Sequence, residues 1–239
     1  MPVRQRRAEI KNLRVCRVSE DSRTEELDSV IHEAEVVIRL DGRAYRRLFC
    51  LPTHLEELAL GHLLSQGIVA SPDVKIEPRK NDIWIYSERK SGTIKKPQKI
   101  TSQLRIAQDQ VFDSVKRLDE NSILYQKTGG THVVGILSAA HQIFVEDISR
   151  HCAVDKVIGL ALKKGIDLSQ SVLVTSCRQT LSTIRKAIYA QIPIVISVSA
   201  ATDLAIENAN LFGITLVGFA RGRHFNIYCH DWRILSTPG

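Results

Sequence analysis

Val172-Leu173-Val174-Thr175-Ser176-Cys177-Arg178-Gln179-Thr180-Leu181-Ser182-Thr183-Ile184-Arg185-Lys186-Ala187-Ile188 holds a short apolar run, a polar loop and a helical pattern, and a second apolar run over residues 194–198 follows. Leu181, Ile184, Ala187 and Ile188 recur at the spacing of one helix face. A strand, a helix and another strand in that order imply a parallel pair joined by a crossover. Outward from this unit the alternation continues. Strands are predicted over residues 132–137, 142–145, 172–174, 194–198, 214–219 and 225–228, and helices over 153–164, 178–190 and 202–212. Val154, Val157, Ile158, Ala161 and Leu162 stripe the first helix, while Gly165 and Gly213 stand where helices end. The expected fold class is α/β: a largely parallel sheet with helices on both faces. The first two strands are joined only by Ser138-Ala139-Ala140-His141, so they should be antiparallel. Pairing Leu137 with Gln142 then sets His132 opposite Asp147.

The first half reads differently, as a smaller α+β domain. Residues 1–25 are polar and basic and are expected to form an arm or edge segment. Residues 34–40, Asp41-Gly42 and residues 44–51 give a hairpin signal, because Asp-Gly supplies positive φ. Thr53-His54-Leu55-Glu56 has the pattern of a capping box, with Leu55, Leu58, Ala59, His62 and Leu63 as the stripe behind it and Gly67 as the stop. His54 and His62 lack partner ligands in sequence and are read as helix-surface residues. A strand over 83–86, a loop over 87–99 rich in Lys, Ser, Gly and Pro, and a helix over 104–118 complete this half. The expected organisation is an arm (1–25), an N-terminal domain (26–120) and a C-terminal domain (121–239).

Composition narrows the class of partner. The 239 residues are 44% hydrophobic and 25% charged, with a formal net charge of +7. No run approaches the roughly 20 apolar residues of a membrane helix, and the basic start lacks the apolar segment of a secretory signal. A cytoplasmic protein with acidic partners is expected. Nucleic acid is not expected among them: aromatics are only 5% and do not interleave with the basic residues. The cysteines, Cys16, Cys50, Cys152, Cys177 and Cys229, are odd in number and scattered, which fits neither a disulfide framework nor a Cys-x-x-Cys metal site. No metal site is expected.

In sheets of this kind ligands sit beyond the carboxyl ends of the strands. The segments leaving those ends are Glu146-Asp147-Ile148-Ser149-Arg150-His151, Thr175-Ser176-Cys177-Arg178-Gln179, Ser199-Ala200-Ala201-Thr202-Asp203 and Ala220-Arg221-Gly222-Arg223-His224. Thr128-Gly129-Gly130-Thr131 lands on the same edge, where glycines let a backbone approach a ligand. Three predicted helices begin there, and their free N–H groups attract anions. Arg150, Arg178, Arg221 and Arg223 suit bidentate contact with phosphate. There is no Gly-x-Gly-x-x-Gly after a strand, no phosphate-binding Walker loop and no zinc-deaminase signature. Glu146 and Asp147 are candidate bases. Cys177 precedes a predicted helix and neighbours Arg178, both of which lower a thiol pKa; the alternative is a buried, inert cysteine.

Thr128-Gly129-Gly130-Thr131-His132, Glu146-Asp147-Ile148-Ser149-Arg150-His151-Cys152-Ala153-Val154-Asp155-Lys156 and Gly213-Ile214-Thr215-Leu216-Val217-Gly218-Phe219-Ala220-Arg221 together resemble the FdhD family. The resemblance covers about residues 30–239. It implies a C-terminal domain similar to cytidine deaminase, with a mixed sheet. It implies an accessory sulfur carrier, a sulfurtransferase of cofactor biosynthesis, that takes sulfur from a cysteine desulfurase as a persulfide. The sulfur then passes to the molybdenum (or tungsten) bis(guanine dinucleotide) cofactor of formate dehydrogenase, before insertion into its catalytic subunit. GDP would imitate part of that cargo, and a homodimer is compatible with the family. The segment Phe219-Ala220-Arg221-Gly222-Arg223-His224 corresponds to the family's cofactor-binding stretch. With the edge residues Gly129, Gly130, His132, Asp147, Arg150, His151, Arg178 and Thr202 it makes the expected binding set. No catalytic residue is assigned. The family's Cys-x-x-Cys belongs in the loop before Thr-Gly-Gly, yet residues 87–99 contain Ser91 and Gly92 and no cysteine. The family's Gly-Arg-His-Asn reads Ser149-Arg150-His151-Cys152, and its Ser-Gly-Arg reads Ser176-Cys177-Arg178. A persulfide needs a thiolate, so Cys177 is the candidate substitute, and a binding module without sulfur transfer is the alternative function.

Overall fold

The computed structural model describes residues 9–68, 74–80, 82–86 and 95–236. Its centre is three parallel strands, β10 (Val172–Thr175), β11 (Ile194–Ser197) and β12 (Thr215–Arg221). On one side β8 (His132–Leu137) and β9 (Gln142–Asp147) extend the sheet; on the other stands β13 (His224–Cys229). Those three flanking strands are antiparallel to their neighbours, so the sheet is mixed rather than largely parallel. For the β8–β9 and β12–β13 pairs the cause is connection length: a tight turn returns a chain only antiparallel, whereas a parallel return needs a crossover. The β8–β9 register pairs Leu137 with Gln142 and His132 with Asp147, as the short turn predicts.

Successive side chains of a strand face opposite sides, and β10 carries apolar residues on both. Leu173 joins Val154, Val157, Ile158, Ile184, Ala187 and Ala209 in one core layer. These come from α4 (Arg150–Lys163), α5 (Leu181–Tyr189) and α6 (Asp203–Phe212). Val172 and Val174 face the other way, against Val111 and Leu118 of α2 (Gln108–Glu120). Helices therefore cover both faces. Helix α2 begins later than the expected residue 104, because Ile106–Ala107 forms a short strand, β7, in parallel with β14 (Ile234–Leu235). Helix α2 packs on the six-stranded sheet, so the segment from Ile100 to α2 belongs with the C-terminal layers and not with the N-terminal domain. Helix α5 also starts later than expected: Gln179 is held extended in a bridge to Ala201, and Thr180 caps the helix.

In the first half β1 (Ile10–Val18) and β2 (Arg23–Ile31) form a two-stranded hairpin where an arm was expected over residues 10–25; residues 1–8 lie outside the described ones. The expected hairpin is present as β3 (Ala34–Leu40) and β4 (Arg43–Cys50), turning through Asp41 and Gly42 at φ 48° and 82°. These strands join β6 (Asp82–Tyr86) and β5 (Lys75–Arg79) in the order β4-β3-β6-β5. Helix α1 (Leu55–Ser65) covers the sheet, but the capping box is not formed: His54 occupies the cap in a left-handed conformation without a side-chain bond. Most of the Lys-rich loop, residues 87–94, lies outside the described residues.

Helices α1 and α4 fasten the two halves together. A Cβ on Gly61 would lie 1.8 Å from the carbonyl oxygen of Asp155, and one on Gly159 would lie 1.9 Å from that of Glu57. Only glycine lets the backbones come this close.

Candidate functional site: an arginine-lined sheet edge

The loops leaving β10, β11 and β12 are strapped to one another through the backbone. Gln179 N–H donates to Ala200 O (2.9 Å), Thr202 N–H to Gln179 O (3.0 Å) and Phe219 N–H to Ser199 O (3.0 Å). The Ser197 hydroxyl adds a bond to Cys177 O at 2.8 Å. Phe219 pays for its place with φ 51°, and Gly218 before it lies so near Tyr228 that a Cβ would be 2.8 Å from the ring. Beyond this row the β12–β13 turn is exposed: Arg221, Gly222, Arg223 and His224 all face solvent, Arg221 pairs with His224 across the turn, and its guanidinium stands 5.4 Å from the Phe219 ring. Ala220 is buried in the sheet core, and Thr202 is exposed at the start of α6 without a side-chain cap.

His132, Arg150 and Arg178 form a second cluster on the same edge. Burial lowers the His132 pKa, and the two guanidinium groups lower it further. The Nε atom of Arg150 is buried without a partner, a position that normally calls for an acceptor. Among the described residues none of Arg150, Arg178, Arg221 and Arg223 makes an ion pair.

Other expected site residues have structural duties. Asp147 is fully buried; it accepts from Lys156 Nζ at 2.6 Å and from Ser149 N–H at 2.7 Å. Burial raises its pKa against the pull of Lys156. Glu146 accepts the N–H groups of Leu124 and Tyr125 and the Thr131 hydroxyl, which anchors α3 (Ile123–Thr128). Neither acid is free to act as a base. Gly129 ends α3 in the left-handed conformation, and Gly130 makes room for the Ile31 side chain, 2.8 Å from where a Cβ would sit. Cys177 is fully buried, and burial pushes its thiol up to about 11. The activated-thiol reading of Cys177 fails and the inert one holds: the residue sits on the covered side of its loop, where desolvation outweighs Arg150.

Several features escaped the sequence. His62 is not on the surface: it is 5% exposed, and its Nδ1 meets Asp155 Oδ2 at 2.9 Å. Lys186 reaches the same carboxylate. Cys50 and Cys152, distant in sequence, share one core cluster, and their interaction lowers the Cys152 pKa and, with burial, raises that of Cys50. The only hint in sequence was His62 falling on the helix's apolar stripe. His151 lines a cavity shared with Arg46, His62 and Lys186.

The fold and this edge define a class: a mixed α/β protein whose strand-end loops gather arginines that, among the described residues, make no ion pair. The particular family follows from comparison. The FdhD/NarQ family matches residues 31–94 and 86–235, and the chain belongs to it. A protein named sulfur carrier protein FdhD from Methanothermobacter thermautotrophicus is 33% identical over 90% of this chain and 95% of its own length. Its namesake from Bacillus subtilis is 29% identical over 87% of this chain and 90% of its own. The crystal structure of a candidate formate dehydrogenase accessory protein from Desulfotalea psychrophila superposes with a TM-score of 0.84 at 24% identity, covering 95% of this chain and all of that one, which shows the common fold. No helix among the described residues is long and apolar enough to cross a membrane.

Proposed function

We propose that this chain is a cytoplasmic accessory protein of formate dehydrogenase. It binds the guanine-dinucleotide form of the molybdenum or tungsten cofactor as cargo at the arginine edge and supports its sulfuration before insertion into the catalytic subunit. The observation that carries this reading is the set of four arginines, 150, 178, 221 and 223, left without carboxylate partners beside strapped strand-end loops. A dinucleotide offers several phosphate oxygens, which guanidinium groups hold in pairs of bonds. Phe219 and its neighbours supply a rigid turn for the flanking part of the ligand. Calorimetry with GDP at low salt tests the binding: wild-type chain should bind, Arg221→Ala and Arg223→Ala should bind more weakly, and a wild-type chain that takes up no GDP refutes it.

A second reading is favoured by the cysteines: the chain holds or delivers the cofactor without carrying sulfur. The loop of residues 87–99 has no thiol, and Cys50, Cys152 and Cys177 are buried. Cys16 is the exposed one, with Arg23 Nε donating to its sulfur at 3.0 Å. Incubation with a cysteine desulfurase and cysteine, read by mass spectrometry, separates the readings. A persulfide on Cys16 supports carriage by this chain; unmodified cysteines support holding alone.

A further inference from the structure

A second polar cavity of about 390 Å³ opens between β4, α1 and the first turns of α4 and α5, and Arg46, His62, Ser149, His151, Arg185 and Lys186 line it. Its one acid is Asp155, 1% exposed, and that acid is saturated. It accepts from Lys186 Nζ at 2.5 Å, from the Ser65 hydroxyl at 2.7 Å and meets His62 Nδ1 at 2.9 Å. The donors are not saturated. An ammonium carries three N–H groups; Lys186 is 5% exposed, and among the described residues Asp155 is its one partner. His62 is equally buried and engages Asp155 through Nδ1. N–H groups left unspent on a buried ammonium beside a cavity call for an acceptor inside it.

Charge gives the acceptor's sign. Arg46 and Arg185 are exposed at the rim and, among the described residues, make no ion pair. Three cations thus face one carboxylate that is already engaged. His151 registers the imbalance: burial, then Arg150 and Lys186, push its pKa down, with Arg46 adding to them and Asp155 alone opposing. A metal ion is the wrong occupant for such a lining. A planar carboxylate has two oxygens, whereas these donors converge from β4, α1, α4 and α5, which suits a tetrahedral group with three or four acceptor atoms.

We propose that this cavity is an oxyanion site for a phosphate group, separate from the arginine edge and independent of the cofactor reading. The phosphate is either the free inorganic ion or the terminal phosphoryl of a nucleotide, held by Arg46, Arg185 and Lys186. The test is calorimetry at low salt with inorganic phosphate and, separately, GDP. Wild-type chain should bind one equivalent of phosphate that depends on Arg46 and Arg185. Arg46→Ala and Arg185→Ala should each weaken it about tenfold, the cost of one charge-assisted contact. Arg221→Ala should leave it unchanged. Both rim residues are exposed and unpaired, so the variants should keep the wild-type melting curve. If GDP competes with phosphate and Arg185→Ala weakens GDP as well, the ligand is a nucleotide; if GDP neither competes nor responds, it is the free ion. Absence of phosphate binding by wild-type chain, or a phosphate affinity and stoichiometry left unchanged by the Arg46→Ala/Arg185→Ala double variant, overturns the proposal.

Discussion

The α1–α4 seam and the carboxyl edge of the large sheet are both rich in charge, and they treat it in opposite ways. At the seam Asp147 is closed by Lys156 and Ser149, and Asp155 by Lys186, His62 and Ser65, and both carboxylates are buried. At the edge Arg150, Arg178, Arg221 and Arg223 find no carboxylate among the described residues. A buried charge without a partner is costly, so a fold keeps one only when it is matched. An exposed cation without a partner, as at Arg178, Arg221 and Arg223, costs little and remains available to a ligand. Matched and buried groups hold the halves together, and unmatched groups on the strapped loops are left available to a ligand from outside.

The sharpest way to break that comparison is at the seam. Lys156→Ala should destabilise the chain by about 3–5 kcal/mol, because Asp147 would remain buried and uncompensated. Urea unfolding measures this. Lys156→Met combined with Asp147→Asn should recover much of the loss, since both charges then leave together. A Lys156→Ala chain within about 1 kcal/mol of wild type would mean the pair is not closed as described. Gly159→Ala should follow at about 1–3 kcal/mol, the usual cost of overpacking, because its methyl meets the Glu57 carbonyl and the two helices must part.

How much of this was readable in sequence depends on how far apart the partners lie. The β8–β9 register followed from a turn of residues 138–141, and the edge followed from strand ends, because both are local consequences of chain direction. Asp155 and His62 are 93 residues apart, and no periodicity brings them together. The same holds for Glu146, read as a free acid until α3 folded over it. Strands β1 and β2 were hidden for another reason. The hairpin buries little on either face, as its largely exposed residues show, so the apolar alternation that marks a strand is weak. Strand β5 contains Pro78, which demotes a strand reading, yet it sits at the sheet margin where proline is tolerated.

At the edge the expected effects on stability are small and those on binding are not. Arg221→Ala and Arg223→Ala should change unfolding by no more than about 0.5 kcal/mol, since both side chains are exposed and unpaired. Each should weaken GDP about tenfold, as loss of a charge-assisted contact does. A variant that loses stability as much as affinity would place these arginines with the seam, and the contrast between the regions would collapse.

The smallest expected effect is on pH dependence, and it reaches both regions. Burial, the first cause in each case, lowers the pKa of His54, His132 and His151. A histidine whose folded pKa lies below its unfolded value takes up its proton more readily when unfolded. Stability should therefore be flat above the ordinary histidine range, near pH 6.5, and fall as pH drops through it. Asp147, raised by burial, works in the opposite sense at lower pH, and Asp155, held down by Lys186 and His62 against its own burial, loses its contribution only below the ordinary carboxylate range. Between pH 7.5 and 5.5 the histidines should dominate. Of these, His132 stands beside Arg150 and Arg178, so an anion bound there would offset the repulsion its proton meets. GDP should thus protect wild-type chain more at pH 5.5 than at pH 7.5 in urea titrations, and His132→Gln should remove that difference. Equal protection at both pH values in wild type would put the nucleotide away from His132 and confine the binding edge to the β12–β13 turn.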